Sequence, residues 1–138
     1  SRISCAEGSV KAIAKDMATY DREVFAVMSL KTNGQIINLN ICSMGTLDAS
    51  MVSPREVFKS SILSNAASFI AIHNHPSGSL QPSQEDRDVT KRLLECGDLL
   101  NIKMLDHIIV AGESAHVYSF REHGELDMLK PRQRDWER

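Results

Sequence analysis

The segment AIHNHPSGSLQPSQED, from Ala71 to Asp86, combines two histidines and a carboxylate at a spacing that could bind a metal ion. Residues two apart on a strand point to the same side, so His73 and His75 can direct two imidazoles at one point if the strand continues through Asn74. The Pro- and Gly-containing turn that follows could bring Asp86 back beside them. Two histidines and one carboxylate leave a fourth position open, as catalytic zinc sites do.

Capping offers a simpler explanation for part of this pattern. Ser83 and Asp86 form the sequence S-x-x-D, typical of a helix N-cap with a carboxylate in the first turn, where the helix dipole favours negative charge. Capping does not explain why His73 and His75 would point together from the end of an apolar strand. Spacing alone therefore leaves both metal binding and a structural role open.

Two other metal chemistries do not fit the sequence. The residues that name HNH nucleases are spread over a larger metal-binding fold, so three adjacent letters carry no weight. A zinc nucleobase deaminase requires H-x-E and a later P-C-x-x-C. Cys5, Cys42 and Cys96 have no C-x-x-C spacing, which also argues against a thiolate zinc site and against a disulfide framework. A reducing, cytoplasmic setting is expected.

A water molecule activated by a metal needs a proton acceptor, usually a Glu that is not itself a ligand. Glu23, Glu56 and Glu85 are the candidates. Glu56 suits a helix capping box, Glu85 lies next to the proposed ligand Asp86, and Glu23 follows Arg22, where a surface charge is the simpler interpretation. The residues alone do not choose among the three.

The elements that must position these residues run in the order helix, hairpin, helix, strand, helix, strand, strand, which predicts a mixed α/β sandwich. Asn33-Gly34 between two apolar runs predicts an antiparallel hairpin. Apolar residues at helical spacing mark the first helix: Val10, Ile13, Ala14 and Met17. Alternating apolar residues mark the returning strand: Ile37, Leu39 and Ile41.

Explicit start signals mark the helix in SPREVFKSSILSNA, where Ser53 suits the N-cap, Pro54 the first position and Glu56 a capping box. SFIAIH then predicts a central strand buried on both faces. A loop, NHPSGSLQP, precedes the next helix, and KMLDHIIVA and HVYSF, joined by the turn AGESA, close the sheet. In the first of these two helices, Val57, Phe58 and Ile62 should face the core. In the helix after the loop, the core-facing residues should be Val89, Leu93, Cys96 and Leu100.

Three further histidines receive no catalytic role from the sequence. His107 lies mid-strand among aliphatic residues, which favours a structural role. His116 and His123 flank the last short strand and have no assigned role.

The bulk properties indicate one ordinary globular domain. The chain has 138 residues, of which 42% are hydrophobic and 25% charged, and it has no apolar run near the roughly 20 residues that a bilayer span needs. Its formal net charge of -2 argues against a dedicated nucleic-acid binder, and the basic KPRQRDWER is read as a solvated tail. A start at Ser1 is compatible with a fragment of a longer chain.

The segment HNHPSGSLQPSQED resembles the metal-binding signature of JAMM domains, also called MPN-plus or JAB/MPN domains. That signature runs H-x-H-P, a spacer, then S-x-x-D, and His73, His75, Pro76, Ser83 and Asp86 fill every position. The form HNHPSG…PS…D is similar to the RadC-like branch, bacterial proteins traditionally labelled as DNA repair proteins. The segments GTLDAS, SPREVFKSSILSNAASFI, LDHIIVAGE and YSFREHG also resemble RadC segments, in the same order.

This resemblance implies a JAB/MPN fold, a cytidine-deaminase-like three-layer α/β architecture, over residues 1–124, with 125–138 as a C-terminal tail. It also implies a Zn²⁺-dependent hydrolase of peptide or isopeptide bonds, with His73, His75 and Asp86 as metal ligands. By position, Glu23 would be the general acid/base, and Ser83 would help to stabilise the oxyanion. The protein or peptide substrate stays unknown.

One feature departs from the family pattern and keeps other functions open. RadC proteins usually carry an N-terminal helix-hairpin-helix DNA-binding region, and this sequence shows none. A DNA association therefore rests on the family label alone. The alternatives are a non-catalytic or DNA-repair-associated binding module and a metal-bearing scaffold.

Overall fold

A computed structural model describes residues 2–45, 52–112 and 116–131, and the side chains from residue 8 onward. The predicted loop at 45–51 and the predicted turn at 111–115 lie largely outside these ranges. The described part contains helices and strands with these bounds: α1 Arg2–Met17, β1 Val24–Leu30, β2 Ile36–Met44, α2 Pro54–Leu63, β3 Ser68–His75, α3 Gln84–Leu100, β4 Lys103–Ala111, β5 His116–Ser119 and α4 Glu125–Leu129.

The five strands form one mixed sheet in the order β2-β1-β3-β4-β5. β3 and β4 are parallel, joined through α3, and the other pairs are antiparallel. All residues of β3 are buried, as expected for a central strand covered on both faces. The predicted α/β class, the order of the elements up to β5 and the central position of β3 are confirmed.

Two apolar clusters on opposite faces make the sheet the middle of three layers. One cluster joins Phe25 and Val27 to residues of α2 and α3, and the other joins Val24 and Met28 to α1. Because alternate residues of β1 serve the two clusters, every residue of that strand is buried. The site described below lies on the face covered by α3.

The first hairpin closes through a turn that contains the predicted Asn33-Gly34. Gly34 N–H donates to the Lys31 carbonyl, and Lys31 N–H donates to the Gln35 carbonyl. Gly34 has φ +87°, whereas Asn33 is not in the left-handed region. The connection is therefore a turn followed by a left-handed glycine rather than a two-residue turn of the mirror-image type.

The return strand β2 is correctly predicted, but its apolar face is largely exposed. Leu39 and Ile41 are 44% and 50% exposed, because α1 packs over the inner strands β1, β3 and β4, and of the described residues of this edge strand only Ile36, at its start, packs against that cluster. The polar face points inward instead. There Asn38 accepts a hydrogen bond from Ser60 of α2, and Cys42 packs against the core.

Helix α2 begins at Pro54 as predicted, but the predicted capping box is wrong. In the described residues, the Ser53 side chain makes no capping hydrogen bond to the helix. Ile62, predicted to face the core, is 53% exposed. The inward position falls to Ser61, which is buried and hydrogen-bonded to Ser29 of β1 at 2.8 Å.

Helix α3 carries the predicted buried stripe with one correction at its end. Val89 and Leu93 are buried and Cys96 packs against the core from a half-buried position, but Leu100 is 46% exposed. The buried positions of the helix stop at Gly97, because the left-handed Asn101 ends the helix and turns the chain into β4.

The segment predicted as a tail begins with a short helix. Leu126 of α4 is buried in the core, and Glu125 accepts hydrogen bonds from Arg87 of α3 and from the Tyr118 hydroxyl. These contacts fix the start of the segment 125–138 against α3 and β5. Residues 132–138 lie outside the described ranges, and the boundary at residue 124 stays a prediction.

No helix in the described ranges combines the length and apolar character required to cross a membrane.

Asp106 connects the end of β5 to β4 from a buried position. Its carboxylate accepts hydrogen bonds from the backbone N–H groups of His107 and Arg121, at 2.8 and 2.9 Å, and from the Ser119 hydroxyl. We expect Asp106→Ala to lower the free energy of unfolding by about 3 kcal/mol, because these donors lose their acceptor.

Asp106→Asn is the matched variant, because its side-chain oxygen can still accept from both backbone groups. We expect a loss of about 1 kcal/mol for this variant, measured for both by urea denaturation. Equal losses in the two variants would contradict the assigned role of these hydrogen bonds.

Candidate metal centre

The end of the central strand places the two histidines of the H-x-H pattern side by side. β3 continues through His75, so His73 and His75 share one face of the sheet, with ring centroids 4.9 Å apart. Between them, Asn74 points to the other side, where it accepts from Val24 N–H at 2.6 Å and donates to the Arg22 carbonyl at 2.9 Å. Asn74 therefore fixes the chain on either side of Glu23, a role that the sequence did not reveal.

Asp86 contacts both histidines from the first turn of α3. His73 Nδ1 lies 2.9 Å from Asp86 Oδ1, and His75 Nε2 lies 3.0 Å from Asp86 Oδ2. The Asp86 carboxylate is fully buried, and the two imidazoles are nearly so. The turn between β3 and α3 thus returns the chain to the histidines, as the sequence predicted.

Ser83 is the predicted N-cap of α3, and with Asp86 it forms a reciprocal capping box. The Ser83 hydroxyl oxygen accepts from Asp86 N–H at 3.0 Å, and Asp86 Oδ2 accepts from Ser83 N–H at 2.7 Å. The Ser83 hydroxyl also donates to Asp86 Oδ2 at 2.9 Å. The cap is therefore part of the same hydrogen-bond network as the two histidines.

The hydrogen bonds around His75 favour its doubly protonated form. Its Nδ1 lies 2.8 Å from the Ser79 carbonyl and its Nε2 faces the Asp86 carboxylate, so both nitrogens donate. The hydrogen bond with Asp86 is the main reason that the pKa of His75 is raised, with burial acting against it. Burial would raise the pKa of Asp86, but the hydrogen bonds from His73, His75 and Ser83 hold it well below its usual range.

The loops around His75 meet at its carbonyl group, which accepts from the N–H groups of Gly78 and Gly112. Gly112 has φ +55°, and a Cβ atom at this position would lie 3.3 Å from the Gly78 Cα. Gly78, in the turn after β3, and Gly112, which directly follows β4, therefore pack against each other beside the site.

Glu23 reaches the site from the residue before β1. Its Oε2 lies 3.7 Å from His73 Nε2, and its side chain is 28% exposed. Of the three glutamates that the sequence left open, this is the one whose carboxylate lies against the histidine pair. It therefore lies between the buried cluster and solvent.

His107 of β4 is buried, as the sequence predicted, but it also lies beside Asp86 and His73. Its ring stacks on Phe120 with centroids 4.7 Å apart, and its Nδ1 lies 2.6 Å from the Thr90 hydroxyl. Burial lowers the pKa of His107 to about 3, so the ring is neutral. Its position beside the site depends on the pairing of β3 with β4, which no local pattern reveals.

One group of described residues brings three potential ligand atoms within 4.8 Å of one another: His73, Asp86 and His107. All three are buried. His75 is not in that group, although its Nε2 lies 3.0 Å from Asp86 Oδ2. Two of the predicted ligands therefore form the compact cluster with His107, and the third joins it through Asp86.

The two histidines to which the sequence assigned no role lie away from this cluster. His116 is exposed on β5. His123 stacks on Tyr118, with ring centroids 4.1 Å apart, and its Nδ1 donates to the Ser119 carbonyl.

The fold and the site together define a three-layer α/β domain with a His-Asp cluster that could hold a metal ion at the end of its central strand. A sequence model of the RadC-like JAB domain matches residues 3–125. The chain therefore belongs to the RadC-like JAB domain family, which confirms the resemblance seen in its motifs.

Several curated relatives share this similarity. A UPF0758 protein of Geobacillus thermodenitrificans is 45% identical over 122 residues, which cover 88% of this chain and 53% of the relative. UPF0758 protein YsxA of Bacillus subtilis is 43% identical over 120 residues, covering 87% and 51%. A UPF0758 protein of Thermotoga maritima is 42% identical over 112 residues, covering 81% and 50%. The chain thus spans about half the length of these relatives, and their names state no activity.

Metal affinity should increase with pH if His75 Nε2 is a ligand, because the proton on that nitrogen must leave before a metal binds. We expect the affinity for Zn²⁺ to rise about tenfold per pH unit until the raised pKa of His75 is passed. The free energy of unfolding of the metal-free protein should instead decrease as pH rises. The stabilisation that His75 contributes is complete below the ordinary pKa of 6.5 and is lost as pH rises through the raised pKa.

Calorimetric titration with Zn²⁺ from about pH 6 to about pH 8, in buffers of different ionisation enthalpy, measures both the affinity and the protons released. The variant His116→Gln, at the exposed histidine, should keep the same pH dependence. A constant affinity with no proton release would contradict the assignment of His75 Nε2 as a ligand.

Proposed function

We propose that this domain is a zinc-dependent hydrolase of the JAMM type that cleaves a peptide or isopeptide bond. One observation carries the proposal: the buried Asp86 carboxylate contacts both histidines of the H-x-H pair, and the Glu23 carboxylate lies 3.7 Å from His73. Residues of metal-ligand type and a partly exposed carboxylate thus meet at one end of the sheet.

The donor set fits Zn²⁺, which favours imidazole nitrogen and carboxylate oxygen. His73 Nε2 is buried and has no hydrogen-bond partner among the described residues. Since Nδ1 of the same ring faces Asp86, Nε2 is the ring nitrogen of His73 that is left to bind a metal. His73, His75 and Asp86 would hold the ion, and a bound Zn²⁺ would polarise the scissile carbonyl and lower the pKa of water.

Glu23 would move the proton in this reaction. Its carboxylate is partly exposed, so both water and a substrate can approach it, and it lies against His73 from outside the buried cluster. Glu23 would take a proton from the attacking water and pass it to the leaving amine. General acid–base catalysis by one positioned group contributes about 10²–10⁴-fold to the rate.

Ser83 would stabilise the negative charge that develops on the carbonyl oxygen. It lies at the N-terminus of α3, where the helix dipole also favours negative charge. Its hydroxyl proton points to Asp86 Oδ2, so this role requires the hydroxyl to turn toward the substrate. The capping bond from Asp86 N–H can persist during that turn, because it uses the lone pairs of the same oxygen.

Glu23→Gln should reduce turnover by about 10²-fold or more while the zinc content stays at the wild-type level, because the amide cannot accept the proton. The measurement is a panel of peptide and isopeptide substrates, with zinc determined in the same samples. Glu85→Gln is the matched control, since Glu85 lies in the first turn of α3 next to Asp86 and is exposed. Equal activity of Glu23→Gln and wild type on a cleaved substrate would contradict the assigned role of Glu23.

Replacing both histidines of the pair, His73→Ala with His75→Ala, should abolish zinc binding. Elemental analysis after equilibration with excess Zn²⁺ and gel filtration measures this loss. The proposal fails if wild type and the double variant both lack zinc under these conditions.

A further inference from the structure

Three histidines follow one another in successive rows on the α3 face of the sheet, from the interior to the surface. His73 and His75 are two apart on β3, and His107 of β4 pairs with Ala71, one row further inward. Such rows are about 6.6 Å apart. Ring centroids of His107 and His73 are 6.4 Å apart, and those of His73 and His75 are 4.9 Å apart. Asp86 lies against this row of imidazoles.

Thr90 fixes the proton on the innermost ring. The Thr90 hydroxyl donates to the Asp86 backbone carbonyl at 2.7 Å, and a carbonyl oxygen can only accept. Since the hydroxyl has a single proton, its oxygen must accept from His107 Nδ1, 2.6 Å away. His107 is therefore the tautomer with a proton on Nδ1 and a lone pair on Nε2.

That lone pair has no hydrogen-bond partner among the described residues, although the ring is fully buried. An unpaired buried polar atom is costly, so each one needs an explanation. The aromatic rings that pack on His107 offer no hydrogen-bond donor to Nε2. Phe120 stacks on the imidazole, and Phe25 meets it in a T-shaped contact. An imidazole lone pair in such a setting is the form that binds a metal ion.

His107 also lies at the right distance from two other ligand atoms. The potential ligand atoms of His73, Asp86 and His107 are all within 4.8 Å of one another. Ligands at Zn–N and Zn–O distances of about 2.1 Å are about 3.4 Å apart in a tetrahedron, so the separations of up to 4.8 Å would shorten by at most about 1.4 Å around an ion. Asp86 lies in the first turn of α3, and Thr90 connects that turn to His107.

We propose that His107 Nε2 is a ligand in an inner metal position, formed with His73 and Asp86, that holds a divalent cation of the Zn²⁺ class without His75. This inference rests on the proposed function in one respect, because the inner position uses the same His73 and Asp86 as the outer ligand set. The two positions differ in their third ligand, which is His107 in one and His75 in the other.

The inner position has a consequence for activity. Glu23 lies two residues outward from Phe25, the strand partner of His73, whereas His107 lies one row inward from His73. An ion held at His107 is therefore displaced away from the proton acceptor and away from solvent. Metal content and hydrolysis would then vary independently.

Titration of the metal-free chain with Co²⁺, a coloured probe for zinc positions, tests the inference. Visible absorption and dialysis equilibrium are measured for wild type, His75→Ala, His107→Asn and the variant with both changes. The Asn side chain of His107→Asn can place its amide where Nδ1 of the histidine was, beside Thr90, but it has no atom where Nε2 was. Circular dichroism and thermal melts establish that each variant is folded.

We expect His75→Ala to bind one Co²⁺ per chain, because the inner position is complete without His75. Adding His107→Asn to that variant should weaken Co²⁺ binding more than about 100-fold, beyond the 10–100-fold typical of a group that only supports a ligand. A second background controls for disturbance of the core: His75→Ala with Phe120→Leu removes the ring stacked on His107 and should bind Co²⁺ like His75→Ala alone.

The outcomes distinguish the inner position from the proposed function. If His75→Ala binds no Co²⁺ while His107→Asn binds it as wild type does, the inner position is overturned and the outer ligand set stands. If wild type itself binds no Co²⁺, both are overturned. If His75→Ala and His107→Asn each lose Co²⁺ binding, an inner position that works without His75 is overturned.

Discussion

The Asp86 carboxylate is the interaction on which the rest of the site depends. It accepts from His73, from His75 and from both the backbone and the hydroxyl of Ser83, so one buried anion joins the central strand to the first turn of α3. A buried carboxylate is costly unless its charge is compensated and its oxygens are hydrogen-bonded. The two imidazoles and the helix N-terminus supply that compensation, and imidazole nitrogen and carboxylate oxygen are also ligand types that Zn²⁺ accepts.

The sheet gives this network its rigidity. β3 is flanked by β1 on one side and β4 on the other, and every residue of β3 is buried. Asn74 anchors the end of that strand to the residues around Glu23, while Asp106 holds the chain after β5 so that Phe120 covers His107. Side chains at the site are thus held by residues of β1, β3 and β4 and of the segment after β5.

Local patterns in the sequence predicted most of the fold and the meeting of His73, His75 and Asp86, because caps, turns and alternation are short-range effects. His73, His75 and Asp86 could be found since strand periodicity and a capping motif constrain them within one short segment. The placement of His107 could not, because it depends on the register of β3 against β4, which shifts at Phe69. The predicted cap by Ser53 was wrong because the residue type only permits a cap, and the Ser53 side chain makes no capping hydrogen bond to the described residues of α2.

The meeting of two turns at the His75 carbonyl makes residues 78 and 112 interdependent. Each glycine donates its N–H to the same oxygen, and the space that a side chain at 112 would need is limited by the Gly78 backbone. Residues that share a partner and a packing boundary show interaction energies of about 0.5–3 kcal/mol in double-mutant cycles, rather than independent effects. Substitutions at Gly78 and at Gly112 of this chain are therefore expected to be coupled, although the whole of α3 and β4 separates the two residues along the chain.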